Sequence, residues 1–273
     1  MDLIRKLLVT NILLLIIVMG VNAQAETYHI IHIKGTMKLQ ESGESLNTGD
    51  KINADDAIVF GSDEDLAAVI SSKQGRKILK PVKSDKKSGD ELSYFVKENL
   101  LPVRKHTTTR SVRIFSSLDD LKYFFTLNNF LLLAENKFRV NSYIFPLSEE
   151  QFFYLRYKHN GEDVNKRLSS EKQDFIIDRA ELFKVDDIVI NPEDVSDYRL
   201  FYYNQTKDTS VQVADLKLLI PELDDLKKEL EIVTEVSKSS GLKEGDIKRE
   251  IDAYLKETYG QYDAHGLSLL LKK

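Results

Sequence analysis

The chain has 273 residues, 42% hydrophobic and 30% charged, and contains neither cysteine nor tryptophan. Enough apolar side chain is present to bury one or two cores. The absence of cysteine excludes disulfide frameworks, Cys-ligated zinc, iron–sulfur clusters, thiol nucleophiles and cysteine-borne lipid anchors. A formal charge of −5 argues against nucleic acid as a partner, because binding through bulk charge needs a basic excess.

Residues 1–25 read as a signal peptide. Arg5 and Lys6 precede an apolar run from Leu7 to Val21 that is interrupted only by Thr10, Asn11 and Gly20. Val21-Asn22-Ala23 and Ala23-Gln24-Ala25 then offer two overlapping small-x-small cleavage sites, of which the one after Ala25 is favoured. The run is shorter than the roughly 20 residues of a membrane span, so an uncleaved, tilted anchor is the alternative. Charges interrupt every later apolar stretch, and no membrane contact is expected once the signal is removed. Its loss makes the formal charge one unit more negative. Export without cysteine suits a bacterial periplasm or extracellular space better than a eukaryotic secretory route, where disulfides are common. Asn204-Gln205-Thr206 matches the glycosylation acceptor pattern and would matter only on the eukaryotic route.

From Tyr28 to Lys80 short Ile- and Val-rich segments alternate with Gly and Asp, the pattern of a small all-β unit. Strands are expected at Tyr28–Lys34, Met37–Gln40, Lys51–Ile52, Ala57–Phe60, Ala67–Ser71 and Lys77–Lys80. The breaks fall at Gly35, Gly43, Gly49-Asp50, Gly61 and Gly75, each read as a tight turn using positive φ. A barrel or sandwich closing on Ile31, Ile33, Leu46, Ile52, Ile58, Phe60, Val69, Ile78 and Leu79 would bury the apolar positions. The succession Ile33-Lys34-Gly35, Leu46-Asn47-Thr48-Gly49-Asp50-Lys51-Ile52, Asp56–Phe60, Ala67-Ala68-Val69 and Gly75–Leu79 resembles the periplasmic FecR-type domain over residues 26–80. That family uses the module to carry envelope signals, with a cytoplasmic segment controlling a sigma factor. Only six residues precede the hydrophobic run here, so no such segment, and no anti-sigma activity, is expected.

Residues 81–110 read as a linker: 81–91 is rich in Pro, Lys, Ser and Gly, and Arg104 to Arg110 is a polar, basic connector without interleaved aromatics. Between them Leu92–Leu101 is expected to form a short helix before Pro102. An α+β domain is expected over 111–215. Ser117 is a candidate N-cap, with an acid at N3, for a helix placing Leu121, Phe124 and Phe125 on one face and ending at Asn128-Asn129. Phe130–Ala134 and Lys137–Val140 are expected to form a hairpin about Glu135-Asn136. The clearest hairpin joins Gln151–Lys158 to Asp163–Leu168 through Asn160-Gly161, whose positive-φ tolerance suits a type I′ turn. Phe175–Ile177, Leu182–Val185, Asp187–Ile190 and Tyr198–Tyr203 are expected to extend its sheet. From Leu216 the period becomes helical. Leu223, Leu226, Leu230, Val233 and Val236 form one apolar stripe after Pro221, and Ile247, Ile251, Tyr254 and Leu255 form a second, closed by Gly260. The segment 216–273 is expected to pack as helices on the preceding domain. The fold class is thus α+β, with a small all-β domain followed by an antiparallel-sheet domain carrying C-terminal helices.

Catalytic patterns are scarce. Nucleophile elbows, phosphate loops, dinucleotide fingerprints, zincin helices and calcium loops are missing. His29 and His32 sit three apart in an expected strand and would point to opposite faces, so no metal site is expected. Asp55-Asp56, Glu149-Glu150, Asp186-Asp187 and Asp224-Asp225 are adjacent acids whose carboxylates diverge; glycosidase chemistry would need a spatial pair. No cofactor is expected. Tyr154, Tyr157, Tyr198, Tyr202 and Tyr203 cluster in strands of the second domain and are a candidate binding surface for peptide or glycan, although such tyrosines also suit half-buried sheet positions. The leading expectation is an exported, non-enzymatic module of the cell envelope that binds an envelope protein or polysaccharide, as a monomer or weak oligomer. The alternatives are a hydrolase using dispersed Asp and Glu on glycan or peptide, and an envelope signalling component held by an uncleaved N-terminal helix.

Overall fold

The computed structural model describes residues 26–81, 93–102, 113–127 and 129–272. The expected signal at 1–25 and much of the expected linker lie outside the described residues. The fold is α+β: several sheets, mostly antiparallel, with the helices gathered toward the C-terminus. Among the described residues no helix is long and apolar enough to cross a membrane. Contacts divide the chain into two units. The first holds the described residues up to Pro102 together with Glu235–Gly241, and the second holds those from Arg113 to Thr234 and from Leu242 onward.

The first unit is a two-sheet sandwich. A five-stranded antiparallel sheet runs in the order Lys51–Asn53, Thr27–Lys34, Leu66–Ser71, Gly75–Leu79, Leu100–Pro102, and a three-stranded sheet contains Met37–Leu39, Ala57–Phe60 and Ser93–Phe95. Their shared core is Tyr28, Ile30, Met37, Leu46, Ile52, Ile58, Ala67, Val69, Leu79 and Val96. The helix expected over Leu92–Leu101 does not form. Instead Ser93–Phe95 pairs with Ala57–Val59, a single 3₁₀ turn follows at Val96–Glu98, and Leu100–Pro102 pairs with Lys77–Leu79. Strand edges of both sheets were open at these positions, and backbone pairing there outweighs the weak local helical pattern.

The first strand also departs from simple alternation. His29 faces Ile70 and Ile30 faces Val69, but His32 faces Ala68, so Ile31 is an extra residue in a β-bulge. The bulge brings Ile33 to the same core face as Ile30, while the expected Ile31 is buried outside that cluster. It also leaves His29 and His32 on the same side of the sheet, opposite to what strict alternation requires. Four of the five expected turn glycines adopt positive φ. Gly61 does not, and is needed for a different reason: a Cβ there would lie 2.1 Å from Thr36 Oγ1.

The second unit is built on two four-stranded sheets. One runs Ser169–Glu171, Asp174–Asp178, Glu135–Val140, Ile114–Phe115, and the other runs Glu162–Arg167, Gln151–His159, Val195–Asn204, Thr209–Asp215. Phe138, Phe175 and Phe153 link them through the core, with Phe138 stacked on Phe175 at 5.0 Å and Phe175 on Phe153 at 4.3 Å. Helix α1 (Leu118–Leu127) begins as expected: Ser117 Oγ accepts from Asp120 N at 3.0 Å, while Asp120 accepts from Ser116 N at 3.2 Å. Leu121 and Phe125 enter the core from it. In the Gln151–His159 hairpin Asn160 and Gly161 take φ of 52° and 83°, the two left-handed residues of a type I′ turn.

Two expectations for this unit are corrected. Phe130 to Val140 is not a hairpin. Phe130–Leu131 lies between Leu218–Leu219 and Gln261–Tyr262 in a small parallel sheet, whereas Glu135–Val140 is a strand of a different sheet. The apolar run Phe130–Leu133 is buried throughout, as the central strand of a covered parallel sheet requires. Asn136 marks the corner, its amide bonding Leu133 O at 2.9 Å and Ile177 O at 3.2 Å. The second correction concerns the long sheet, which only Val195–Asn204 and the unexpected strand Thr209–Asp215 extend. Asp174–Asp178 pairs elsewhere and ends where Asp178 caps helix α2 (Arg179–Leu182). Lys184–Val185 and Ile188–Val189 pair with each other across Asp186 and Asp187, at φ 47° and 66°.

At the C-terminus follow helices α3 (Leu223–Ser239), α4 (Glu244–Thr258) and α5 (Ala264–Leu270). Leu226, Leu230, Val233 and Val236 of α3 are buried, as are Ile247, Ile251, Tyr254 and Leu255 of α4. Gly260, at φ 92°, reverses the chain into the parallel sheet; a Cβ there would lie 2.4 Å from Asn129 O. Helix α5 seats on Glu135–Val140, where Gly266 passes so close to Glu135 O that a Cβ would fall within 2.4 Å.

Candidate functional site

The register of the Gln151–His159 sheet sorts its side chains onto two faces. Phe153, Leu155, Tyr157, Leu200 and Val213 point into the core. The opposite face carries aligned rows. Asn165 pairs with Arg156, Arg156 with Arg199, and Arg199 with Asp215; in the next row Arg167, Tyr154, Phe201 and Gln212 follow one another, and beyond them Phe152, Tyr203 and Ser210. Four aromatic rings and three guanidinium groups thus share one surface.

These side chains are held in defined positions. Tyr154 and Phe201 stack at 5.0 Å, nearly parallel, and Phe152 meets Tyr203 at 5.3 Å. The Arg156 guanidinium lies 4.9 Å from the Phe201 centroid and 5.9 Å from that of Tyr154, and Arg167 lies 4.2 Å from Phe152. Such contacts orient a planar cation over a ring face. Tyr154 and Phe201 are only 9% and 8% exposed, so at the centre of the surface the groups offered to solvent are chiefly arginines. Asn165 Oδ1 fixes Arg156 Nε at 2.7 Å, Asp163 Oδ1 takes Arg199 Nη2 at 3.2 Å, and Glu149 takes Arg167 Nη2 at 3.0 Å. Tyr154 Oη and Ser210 Oγ share a 2.7 Å hydrogen bond. Asp208 and partial desolvation push the Tyr203 phenol above its ordinary value, desolvation being the larger cause.

Of the five tyrosines singled out from the sequence, only Tyr154 and Tyr203 lie on this surface. Tyr157, Tyr198 and Tyr202 face inward. Tyr157 donates to Leu182 O at 2.8 Å and Tyr202 to Pro146 O at 2.8 Å, and burial raises the phenol pKa of all three. The division follows from strand geometry, since Tyr202 and Tyr203 are neighbours and Tyr154 and Tyr157 are three apart, so each pair is split between faces. Phe152, Arg156, Arg167, Arg199 and Phe201 share the surface but do not stand out by residue type in the sequence. The period-2 sets 152/154/156 and 199/201/203 carry the signal, once side-chain direction is taken before residue type.

Other groupings offer less. His29 and His32 share a face, with burial and then Lys51 pushing the His29 imidazole below its ordinary pKa. Among the described residues no three His, Asp or Glu side chains converge as a metal site requires. The adjacent acids serve local structure: Asp56 accepts from Asn53 N, Asp55 pairs with Lys97, Glu149 with Arg167, Asp186 and Asp187 form a turn, and Asp224 and Asp225 occupy the first turn of α3. The buried carboxyls of Asp65 and Glu229 sit in different units, each engaged by several donors. Comparison of the chain with protein-family models, curated proteins and solved structures finds no match in any of the three, so the geometry of this aromatic and arginine surface is the basis for a functional reading.

Proposed function

We propose that the chain is an exported, non-enzymatic module of the bacterial cell envelope, working in the periplasm or extracellular space and binding an envelope polymer or protein. The carrying observation is the outer face of the four-stranded sheet, where Phe152, Tyr154, Phe201 and Tyr203 are laid out with Arg156, Arg167 and Arg199. A rigid sheet presenting rings and positioned guanidinium groups loses little side-chain entropy on binding. The signal pattern at 1–25 supports export, and the sandwich of the first unit is compatible with the FecR-like reading of its Gly and Asp pattern.

The test is co-sedimentation of the chain with purified insoluble envelope polymer, together with mass spectrometry of the exported protein. Binding that falls at least fivefold in a Tyr203→Ala, Phe152→Ala variant of unchanged melting temperature is expected. Retention of full binding by that variant would sink the assignment to this face. A mature N-terminus at Glu26 is expected, and an intact Met1 would favour the anchored signalling alternative.

A further inference from the structure

We propose that Arg156 and Arg199 form a paired cation site for the carboxylates of an acidic polysaccharide, with Phe152 and Tyr203 supporting the adjoining sugar ring. This inference rests on the polymer-binding reading of the same face and names the class of polymer.

The two arginines are directly opposite one another on neighbouring strands, an arrangement that repels unless an anion lies between or beside the charges. The structure supplies only part of that anion. Arg156 uses Nε on the neutral Asn165 amide, and among the described residues no carboxylate lies within ion-pair distance of it. Its guanidinium plane is fixed over Phe201 and Tyr154, leaving the terminal nitrogens oriented as a fork. Arg199 gives Nη2 to Asp163, while its Nε is buried without a partner. Asp215, across from Arg199, has Oδ1 engaged by the Gln212 amide at 2.9 Å.

A polysaccharide suits the face better than a peptide. Gln151–His159 and Val195–Asn204 are the inner strands of the sheet, with their backbone groups already paired on both sides. An extended peptide therefore finds no strand edge over the arginine pair. Half-buried rings beside a planar cation fit a pyranose face carrying a carboxylate. Because the chain as a whole is negative, bulk attraction to an acidic polymer is excluded, and binding must come from these few positioned cations.

The experiment is affinity electrophoresis of the exported chain in gels containing sodium polygalacturonate, neutral dextran or poly-glutamate, supported by calorimetry. Retardation by polygalacturonate is expected, at least tenfold stronger than by dextran, and about tenfold weaker in Arg156→Gln or Arg199→Gln, the scale of one charge-assisted contact. Arg156→Lys keeps the charge but not the planar fork and is expected to lose binding in part, which keeps the site testable if the Gln variant melts early. Equal retardation by dextran would overturn the carboxylate assignment while leaving polymer binding intact. Equal retardation by poly-glutamate would overturn the sugar assignment. Failure of any polymer to retard the chain would overturn this inference, and co-sedimentation with whole envelope polymer then decides the broader reading separately.

Discussion

Asp65 in the first unit and Glu229 in the second are both buried carboxyls, 7% and 4% exposed, yet they are satisfied in opposite ways. Asp65 is held by its own neighbourhood in the sequence and one turn beside it: Ser62 Oγ donates at 2.6 Å, Ser62 N at 3.0 Å and Thr36 N at 3.1 Å. Gly35 and Gly61 clear the space, since a Cβ on Gly35 would come within 2.1 Å of Asp65 Oδ1. The donors are mostly backbone N–H groups and a short hydroxyl, which stabilise a charged carboxylate, and the Ser62 hydroxyl leads in holding Asp65 below the usual carboxylate range despite its burial. Glu229 on α3 instead accepts 2.7 Å hydrogen bonds from the phenols of Tyr254 and Tyr259, on and just beyond α4. Burial, and then the Glu229 charge, pushes both phenols well above their ordinary value. One carboxyl closes a tight turn; the other ties two helices.

The comparison is most sharply broken at Gly35. Gly35→Ala combines a positive-φ cost with displacement of Asp65, and a loss of about 3–4 kcal/mol in urea unfolding is expected. Glu229→Ala strands two buried phenols and is expected to cost about 3 kcal/mol, whereas Glu229→Gln keeps an acceptor oxygen and should cost about 1 kcal/mol. Equal losses for the Ala and Gln variants would show that the phenols do not depend on that oxygen.

Stability measured against pH separates the clusters by sign. A carboxylate with a depressed folded pKa contributes stability that is present above the unfolded value, about 3.9, and is lost as pH falls toward the folded value. Asp65→Asn should therefore flatten the acid limb below about pH 4. Phenols with raised folded pKa contribute stability that is full below about pH 10 and lost as pH rises past it. Tyr254→Phe with Tyr259→Phe should flatten that alkaline limb. The smallest effect is expected at an exposed acid. Asp55, ion-paired to Lys97 at 2.6 Å but 64% exposed, should cost less than about 1 kcal/mol as Asp55→Asn.

The two clusters also differ in how far they can be read without coordinates. The turns about Gly35, Gly43, Gly49 and Gly75 announce themselves by glycine between β-branched runs, and the strands they separate follow within a residue or two. Ser117 with Asp120, and Asn160-Gly161, are equally local signals, and the structure uses both. The pairing of Glu229 with Tyr254 and Tyr259 has no such signature, because 25 and 30 residues separate the partners. The same holds for the parallel contact of Phe130–Leu131 with two distant segments, which left a hairpin as the apparent reading of residues 130–140. The candidate site falls between these cases. Its alternation is legible in the sequence, but residue type and proximity along the chain group tyrosines of both faces together and do not single out the arginines between them.

Residue order by itself determined the α+β class, most strand and helix positions, the turn glycines and the amphipathic stripes of α3 and α4, because each depends on neighbours within a few positions. Tertiary structure alone decided strand order, the phase of the first strand across the Ile31 bulge, and the juxtaposition of Arg156 with Arg199. Those depend on backbone pairing between distant segments, where inserting one residue into a strand exchanges the faces of those that follow. The missing cysteines are consistent with this division: the described fold is secured by packing and by the buried hydrogen-bond sets around Asp65 and Glu229, without a covalent cross-link.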